Sequence, residues 1–153
     1  MTDAELTHLD SDGTASMVDV SGKDVIRRSA VAEACFHARP DTLDRLEAGD
    51  LPKGEAMGTA RIAGIQAAKD CARLIPLCHP LPLNHVGVDM QRVAPDQIRV
   101  EAQVTAIART GVEMEALTAV TIAALTLYDM TKALQHDSRV EGIRVVEKKK
   151  ETM

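Results

Sequence analysis

An α+β fold, an antiparallel sheet with helices on one face, is what this chain of 153 residues predicts. Three observations predict it. Alternating and helical patterns follow one another in the order strand, helices, strand, strand, helix, strand. The two middle strands are joined by a short turn with a proline. One long apolar segment near the C-terminus has the length of a helix rather than a strand. Together these give βαββαβ, the order of ferredoxin-like folds. That fold hosts many unrelated activities and does not by itself assign one.

The elements read as follows. Residues 1–14 are polar and acidic and read as a mobile arm. Residues 15–148 form a single domain, a length sufficient for a real core. Met17-Val18-Asp19-Val20 reads as a short strand or an ordered strap. From Ile26 to Ala38, Ala30, Ala32, Ala34 and Phe36 alternate with other residues, which predicts a strand. Pro40-Asp41 opens a short helix that stops by Gly49. A second helix is expected over Gly54 to Ile75. Its Ala60, Ala63, Gly64, Ala67 and Ala68 make a small-residue face that another backbone can approach closely. Pro76 ends that helix, and Pro76, Pro80 and Pro82 stiffen the loop that follows. His85 to Val93 and Ile98 to Ile107 read as strands around the turn Ala94-Pro95-Asp96-Gln97. The long helix runs from Gly111 to His136, with Thr110 and Glu113 matching a capping box. Gly142 to Val146 reads as the closing strand, and 149–153 as a basic, poorly ordered tail that begins beside Lys148.

Composition excludes several classes of function. Hydrophobic residues make up 45% and there is no tryptophan, one tyrosine and one phenylalanine, so the core is aliphatic. The lack of aromatics removes the stacking platforms that single-stranded nucleic acid needs. A net charge of -5 argues against a broad phosphate-binding surface, though not against a local basic pocket. Cys35, Cys71 and Cys78 are an odd set with no Cys-x-x-Cys spacing, so neither a disulfide framework nor a zinc ribbon is indicated. Free thiols suit a reducing cytoplasm. No signal peptide and no apolar run long enough for a bilayer is recognised.

The chemistry-bearing candidates lie mainly on the long helix. Asp129 and Lys132, three residues apart, share one helix face on an otherwise apolar segment. The bland reading is a helix-stabilising pair. The functional reading makes Lys132 a phosphate ligand or general acid and Asp129 its orienter or a second proton carrier. At the other end, Glu113 is first of all the capping residue, and Glu115 suits the positive end of the helix. Glu115 and Asp129 are 129 − 115 = 14 residues apart. They therefore lie about 40° apart around the axis and about 21 Å apart along it. A single small site using both must take one of them from a second subunit.

Other candidates are less committed by their spacing. The loop Leu77-Cys78-His79-Pro80 invites a metal or nucleophile reading, but no set of further ligands is evident beyond His85 and no base is seen to activate Cys78. A ligand-binding loop on a rigid scaffold is the middle reading. Lys53 precedes a helix start, where a cation beside free amides suits phosphate, and is otherwise a solvated loop residue. Arg28 and Lys69 are surface charges or members of a basic pocket. Lys148-Lys149-Lys150 is most simply a solubilising end.

Five motifs together resemble one family: MVDV at 17–20, KGEAMGTARIAGIQAAK at 53–69, LIPLCHPLPL at 74–83, TGVEMEALTA at 110–119 and LYDMTKA at 127–133. The chain is similar over nearly its whole length to cyclic pyranopterin monophosphate synthases, the molybdenum cofactor biosynthesis protein C family. The resemblance implies an enzyme, a phosphorus-oxygen lyase, that converts (8S)-3',8-cyclo-7,8-dihydroguanosine 5'-triphosphate to cyclic pyranopterin monophosphate and diphosphate. It implies a ferredoxin-like subunit in a homohexamer, a trimer of dimers, with active sites between subunits. It implies catalytic roles for Asp129 and Lys132. Substrate contacts would come from Leu77, Cys78, His79, Met114 and Glu115, with Glu113 beside them. Arg28, Lys53, Lys69 and, at the first lysine of the tail, Lys148 match further pocket positions. No resident metal or other cofactor is implied, although Mg²⁺ could accompany the triphosphate. Ile26 stands where members often have threonine, and Glu147-Lys148-Lys149-Lys150-Glu151 replaces a common Lys-x-Gly-Gly-Lys. The alternative from another class is a non-catalytic nucleotide-binding regulator on the same fold. It would use Lys53, Arg28 and the Leu77-Cys78-His79 loop without needing the Asp129/Lys132 pair.

Overall fold

The structure, a computed structural model, describes residues 7–153. Strands β1 (Ile26–His37), β2 (Leu83–Ala94), β3 (Gln97–Ala108) and β4 (Arg139–Glu151) alternate with helices α1 (Pro40–Glu47), α2 (Ala56–Lys69), α3 (Cys71–Leu74) and α4 (Glu113–Thr131). The strands form one antiparallel sheet in the order β2-β3-β1-β4. This is the expected ferredoxin-like arrangement, with the first strand inside the sheet.

Alternation along the strands decides which face is covered. Ala30, Ala32, Ala34 and Phe36 of β1 and Ile98, Val100, Ala102, Val104 and Ala106 of β3 are buried on one side. Against them pack α4 residues Ala116, Ala119, Val120, Ala123, Ala124 and Leu127, also fully buried. So many alanines in one interface bring backbones close. The small-residue face of α2 does the same. A Cβ built on Gly64 would stand 3.0 Å from the Ala119 carbonyl oxygen of α4 and 3.2 Å from Ala123 Cβ. Glycine is the residue that lets α2 and α4 meet at that distance.

Several boundaries differ from expectation for local reasons. The second helix begins at Ala56, where the Glu55 side chain accepts from the Gly58 amide. It breaks at Asp70, whose carboxylate accepts from the Gln66 side chain and whose carbonyl accepts from the Arg73 amide, so that α3 is a separate turn. That turn ends at Ile75, held extended before Pro76. The expected capping box is not made: Val112 is the cap residue of α4 and no side chain caps it. Glu113 instead pairs with Lys148 at 3.3 Å. The long helix stops at Thr131 rather than His136, because the amides of Leu134 and Gln135 both fold back on the Thr131 carbonyl. The Gln135 side chain then accepts from the Arg39 amide at 2.8 Å.

The closing strand is much longer than Gly142–Val146. Lys148, Lys149, Lys150 and Glu151 pair with Ala30, Ser29, Arg28 and Arg27, so most of the expected tail is the end of β4. The β1–β4 register shifts between Glu33 and Cys35, opposite Gly142, whose φ of 63° suits a bulge. Of the N-terminal arm, residues 1–6 lie outside the described residues. Leu9 and Ala15 form an isolated bridge, and Met17–Val20 is an irregular strap rather than a strand.

Candidate active site

Helix α4 carries one group of charged residues at each end. At its C-terminal end, Asp129 stands half-exposed at 51%. Its Oδ1 accepts from Lys132 Nζ and its Oδ2 from Lys53 Nζ, each at 2.8 Å. The charged pair is thus at the surface and not inside the apolar helix packing. Hydrogen bonds from Lys132 and then Lys53 hold the Asp129 carboxyl down at about 2. The Lys132 ammonium is pushed up by the same contact with Asp129. All three groups are charged at neutral pH, with a net positive charge facing solvent. This arrangement can bind an anion and can donate a proton.

At the N-terminal end, Glu115 is 2% exposed. Burial raises its pKa, opposed by its own backbone amide and the Cys78 thiol. The thiol of Cys78 donates to Glu115 Oε1 at 3.6 Å, and Cys71 Sγ lies 3.9 Å from Cys78 Sγ and 3.5 Å from Thr118 Oγ1. Desolvation, then the Glu115 carboxylate, pushes the Cys78 thiol up to about 12, so it rests protonated and is a poor nucleophile. His79 Nε2 sits 2.7 Å from the Val18 carbonyl oxygen, which ties the loop to the strap. Met17 and Val20 of the strap, His79, Pro80 and Arg109 line a groove of about 480 Å³, the size of a small-ligand site.

Of the remaining candidates, Arg28 joins this second group by contact. Arg28 Nη2 donates to the Arg109 carbonyl at 3.0 Å, while its buried Nε has no partner. Met114, on the first turn of α4, is exposed. Lys69 lines a groove of about 380 Å³ with Leu81 and His85. Leu77 lies beside Cys78 in the loop after α3, which Pro76 opens and Pro80 and Pro82 follow. Lys53, by contrast, belongs to the Asp129 end, which its place in sequence did not reveal. Cys71 and Thr118 were not singled out for a site at all, and only the break of the helix at Asp70 turns Cys71 toward the loop.

Because α4 is continuous from Glu113 to Thr131, the two groups stay about 21 Å apart along its axis. Within one chain they cannot converge on a single small pocket.

A family model, the MoaC family, matches residues 17–151. The chain belongs to the MoaC family. Relatives agree over almost the whole length. A protein of Roseiflexus castenholzii is 56% identical over 95% of this chain and 92% of its own, and is named cyclic pyranopterin monophosphate synthase. Proteins of the same name from Corynebacterium efficiens and a Nostoc species are 53% and 55% identical, covering 95% of this chain and 93% and 87% of their own. MoaC membership accounts for the five sequence motifs. All five contribute residues to the two groups: the strap, the stretch that holds Lys53 and Lys69, the Cys78-His79 loop and the two ends of α4. No helix among the described residues is long and apolar enough to cross a membrane.

Proposed function

We propose that this chain is a cyclic pyranopterin monophosphate synthase of molybdenum cofactor biosynthesis. It takes the cyclic dihydroguanosine triphosphate and releases cyclic pyranopterin monophosphate and diphosphate. The observation that carries the reading is the division of the MoaC motifs between the two ends of α4. Each end is chemically suited to one part of such a substrate.

The Lys53–Asp129–Lys132 group supplies positive charge and a positioned proton donor. Closing the cyclic ester makes a new bond from an oxygen of the rearranged sugar to the α-phosphorus and breaks its bond to diphosphate. The attacking oxygen releases its proton to solvent, and the departing diphosphate carries away negative charge. Lys132 is the general acid-base of the ring rearrangement in this reading. Asp129 holds it in place, and Lys53 receives phosphate oxygens. Leu77, Cys78, His79, Met114 and Glu115 from a neighbouring subunit would meet the purine-derived part. Glu113, Arg28, Lys69 and Lys148 complete the pocket wall. The assembly is then a homohexamer, a trimer of dimers with interface active sites, in the cytoplasm. Mg²⁺ would enter, if at all, with the triphosphate rather than on a protein cage.

The test is to incubate the protein with the cyclic dihydroguanosine triphosphate and follow diphosphate and oxidised pterin together. Equal amounts of both are expected. Tight binding of the triphosphate with neither product would overturn the enzyme reading in favour of a nucleotide-binding regulator.

A further inference from the structure

We infer that Cys71, Cys78 and Glu115 form a binding site for a soft divalent cation of the Zn²⁺ class. Their three ligating atoms, two thiol sulfurs and one carboxylate oxygen, all lie within 4.8 Å of one another. The two separations that involve Cys78 have the size of the edges of a tetrahedral coordination shell. With Zn–S near 2.3 Å and Zn–O near 2.1 Å, the S–S edge is about 3.8 Å and the S–O edge about 3.6 Å. The observed Sγ–Sγ separation is 3.9 Å and the Cys78 Sγ to Glu115 Oε1 separation is 3.6 Å.

A second observation points the same way. Glu115 is 2% exposed, yet its Oε2 has no hydrogen-bond partner and its Oε1 is met by a thiol, a weak donor. A buried carboxylate so poorly satisfied is costly. A cation at the centre of the trio would satisfy it. The donors also rest on fixed supports: Cys71 opens α3, Cys78 follows Pro76 and precedes Pro80 in the stiff loop, and Glu115 is in the first turn of α4. Thr118 Oγ1, 3.5 Å from Cys71 Sγ, can donate to a thiolate there from outside the coordination shell.

Two sulfurs and one oxygen select against hard ions such as Mg²⁺ and favour zinc-like ones. Binding requires each thiol to release its proton to solvent as its metal–sulfur bond forms, with no change in oxidation state. The fourth position is left to water or an exchangeable ligand. The seven-residue step from Cys71 to Cys78 is not a zinc-ribbon spacing, which is why the motif is silent in sequence. The inference shares Cys78 and Glu115 with the substrate contacts of the synthase reading but does not rest on it, because it also depends on Cys71 and its test needs no substrate.

The experiment titrates the reduced, metal-free protein anaerobically with Co²⁺ and then Zn²⁺. Expected are one Co²⁺ per chain, near-ultraviolet thiolate-to-cobalt absorption, tetrahedral visible bands, and their loss when Zn²⁺ is added. Cys71→Ser, Cys78→Ser and Glu115→Gln should each weaken binding more than about tenfold, with circular dichroism reporting that each is folded. Cys35→Ser, which removes the thiol on β1, should bind as the parent does. Absence of a stoichiometric cobalt signal in the folded parent protein would overturn the inference. So would a signal undiminished in both Cys71→Ser and Cys78→Ser, or one that depends on Cys35.

Discussion

Lys53 and Asp129 are 76 residues apart in the chain, yet Lys53 Nζ donates to Asp129 Oδ2 at 2.8 Å. Lys132 occupies the other oxygen at the same distance. The carboxylate is therefore a clamp between two ammonium groups, one from the loop before α2 and one from the end of α4.

That clamp separates activity from stability. Exposed ion pairs contribute little to folding, so Lys53→Ala, Lys132→Ala and Asp129→Asn should melt within about 2 °C of the parent. Turnover should fall by about 10²-fold or more for Lys132→Ala, which removes the proton-transfer group, and for Asp129→Asn, which removes the charge that positions it. Lys53→Ala should act chiefly on KM, by on the order of tenfold, as a lost phosphate ligand does. The Asp129 pKa is depressed to about 2, well below the ordinary range of an aspartate, by the hydrogen bonds from Lys132 and Lys53. Its stabilising charge is present above the unfolded value and lost only as pH falls through about 2. The Asp129→Asn deficit should therefore be constant between about pH 5 and 9. Steady-state kinetics across that range, with melting curves on the same samples, check all three variants.

Glu115 titrates in the opposite sense. Burial raises its folded pKa above the unfolded 4.5. Below pH 4.5 both states are protonated and the group has no effect. As pH rises through 4.5 toward the folded value, the unfolded state loses its proton first and stability falls. Glu115→Gln removes that loss. The variant should melt higher than the parent at pH 7, and the advantage should shrink to nothing below about pH 4. Metal-free thermal melts between those two pH values measure it. An equal shift at both ends would show that the buried charge is not the cause.

The fold was legible because its signals are periodic. Alternation at Ala30, Ala32, Ala34 and Phe36 marked β1, and the small face at Ala60 to Ala68 marked the α2–α4 contact. What was hidden depends on contacts far apart in sequence. Nothing near Glu113 announces Lys148, and so the capping pattern suggested a local partner. The lysines of β4 look like a tail because their strand is an edge whose side chains face water, and only pairing with β1 orders them. Asp129 and Lys132 were found by helix spacing, but Lys53 closes that group through a loop. Glu115 was read as first-turn electrostatics, and its burial follows from where the Cys78 loop packs.

Gly64 gives the fold its most direct test. Gly→Ala within a helix ordinarily stabilises, by roughly 0.5–1 kcal/mol. Here the new methyl would meet the Ala119 carbonyl oxygen at 3.0 Å and Val88 Cγ2 at 3.1 Å, on packed neighbours. Overpacking of this kind costs about 1–3 kcal/mol, which wins. Gly64→Ala should lower Tm by a few degrees, whereas Ala substitution at exposed Ile62 of the same helix should have a much smaller effect. Urea denaturation of both variants provides the comparison, and a stabilised Gly64→Ala would show that α2 and α4 are not held at this separation.

The proposal of an interface active site makes a prediction about mixtures. If each pocket takes the Asp129 end of α4 from one subunit and the Cys78-His79 and Glu115 end from its two-fold partner, a dimer contains two pockets. Take Asp129→Asn and His79→Ala, each inactive alone. In a mixed dimer one pocket collects both substitutions and the other collects neither. Random pairing makes half the dimers mixed, and half of their pockets intact, so about one quarter of parent activity should return. The two variants are dissociated, mixed in equal amounts and reassembled, with each variant reassembled alone as its control. Pockets built within single chains would give no recovery at any ratio, and the recovered fraction should fall on either side of the equal mixture.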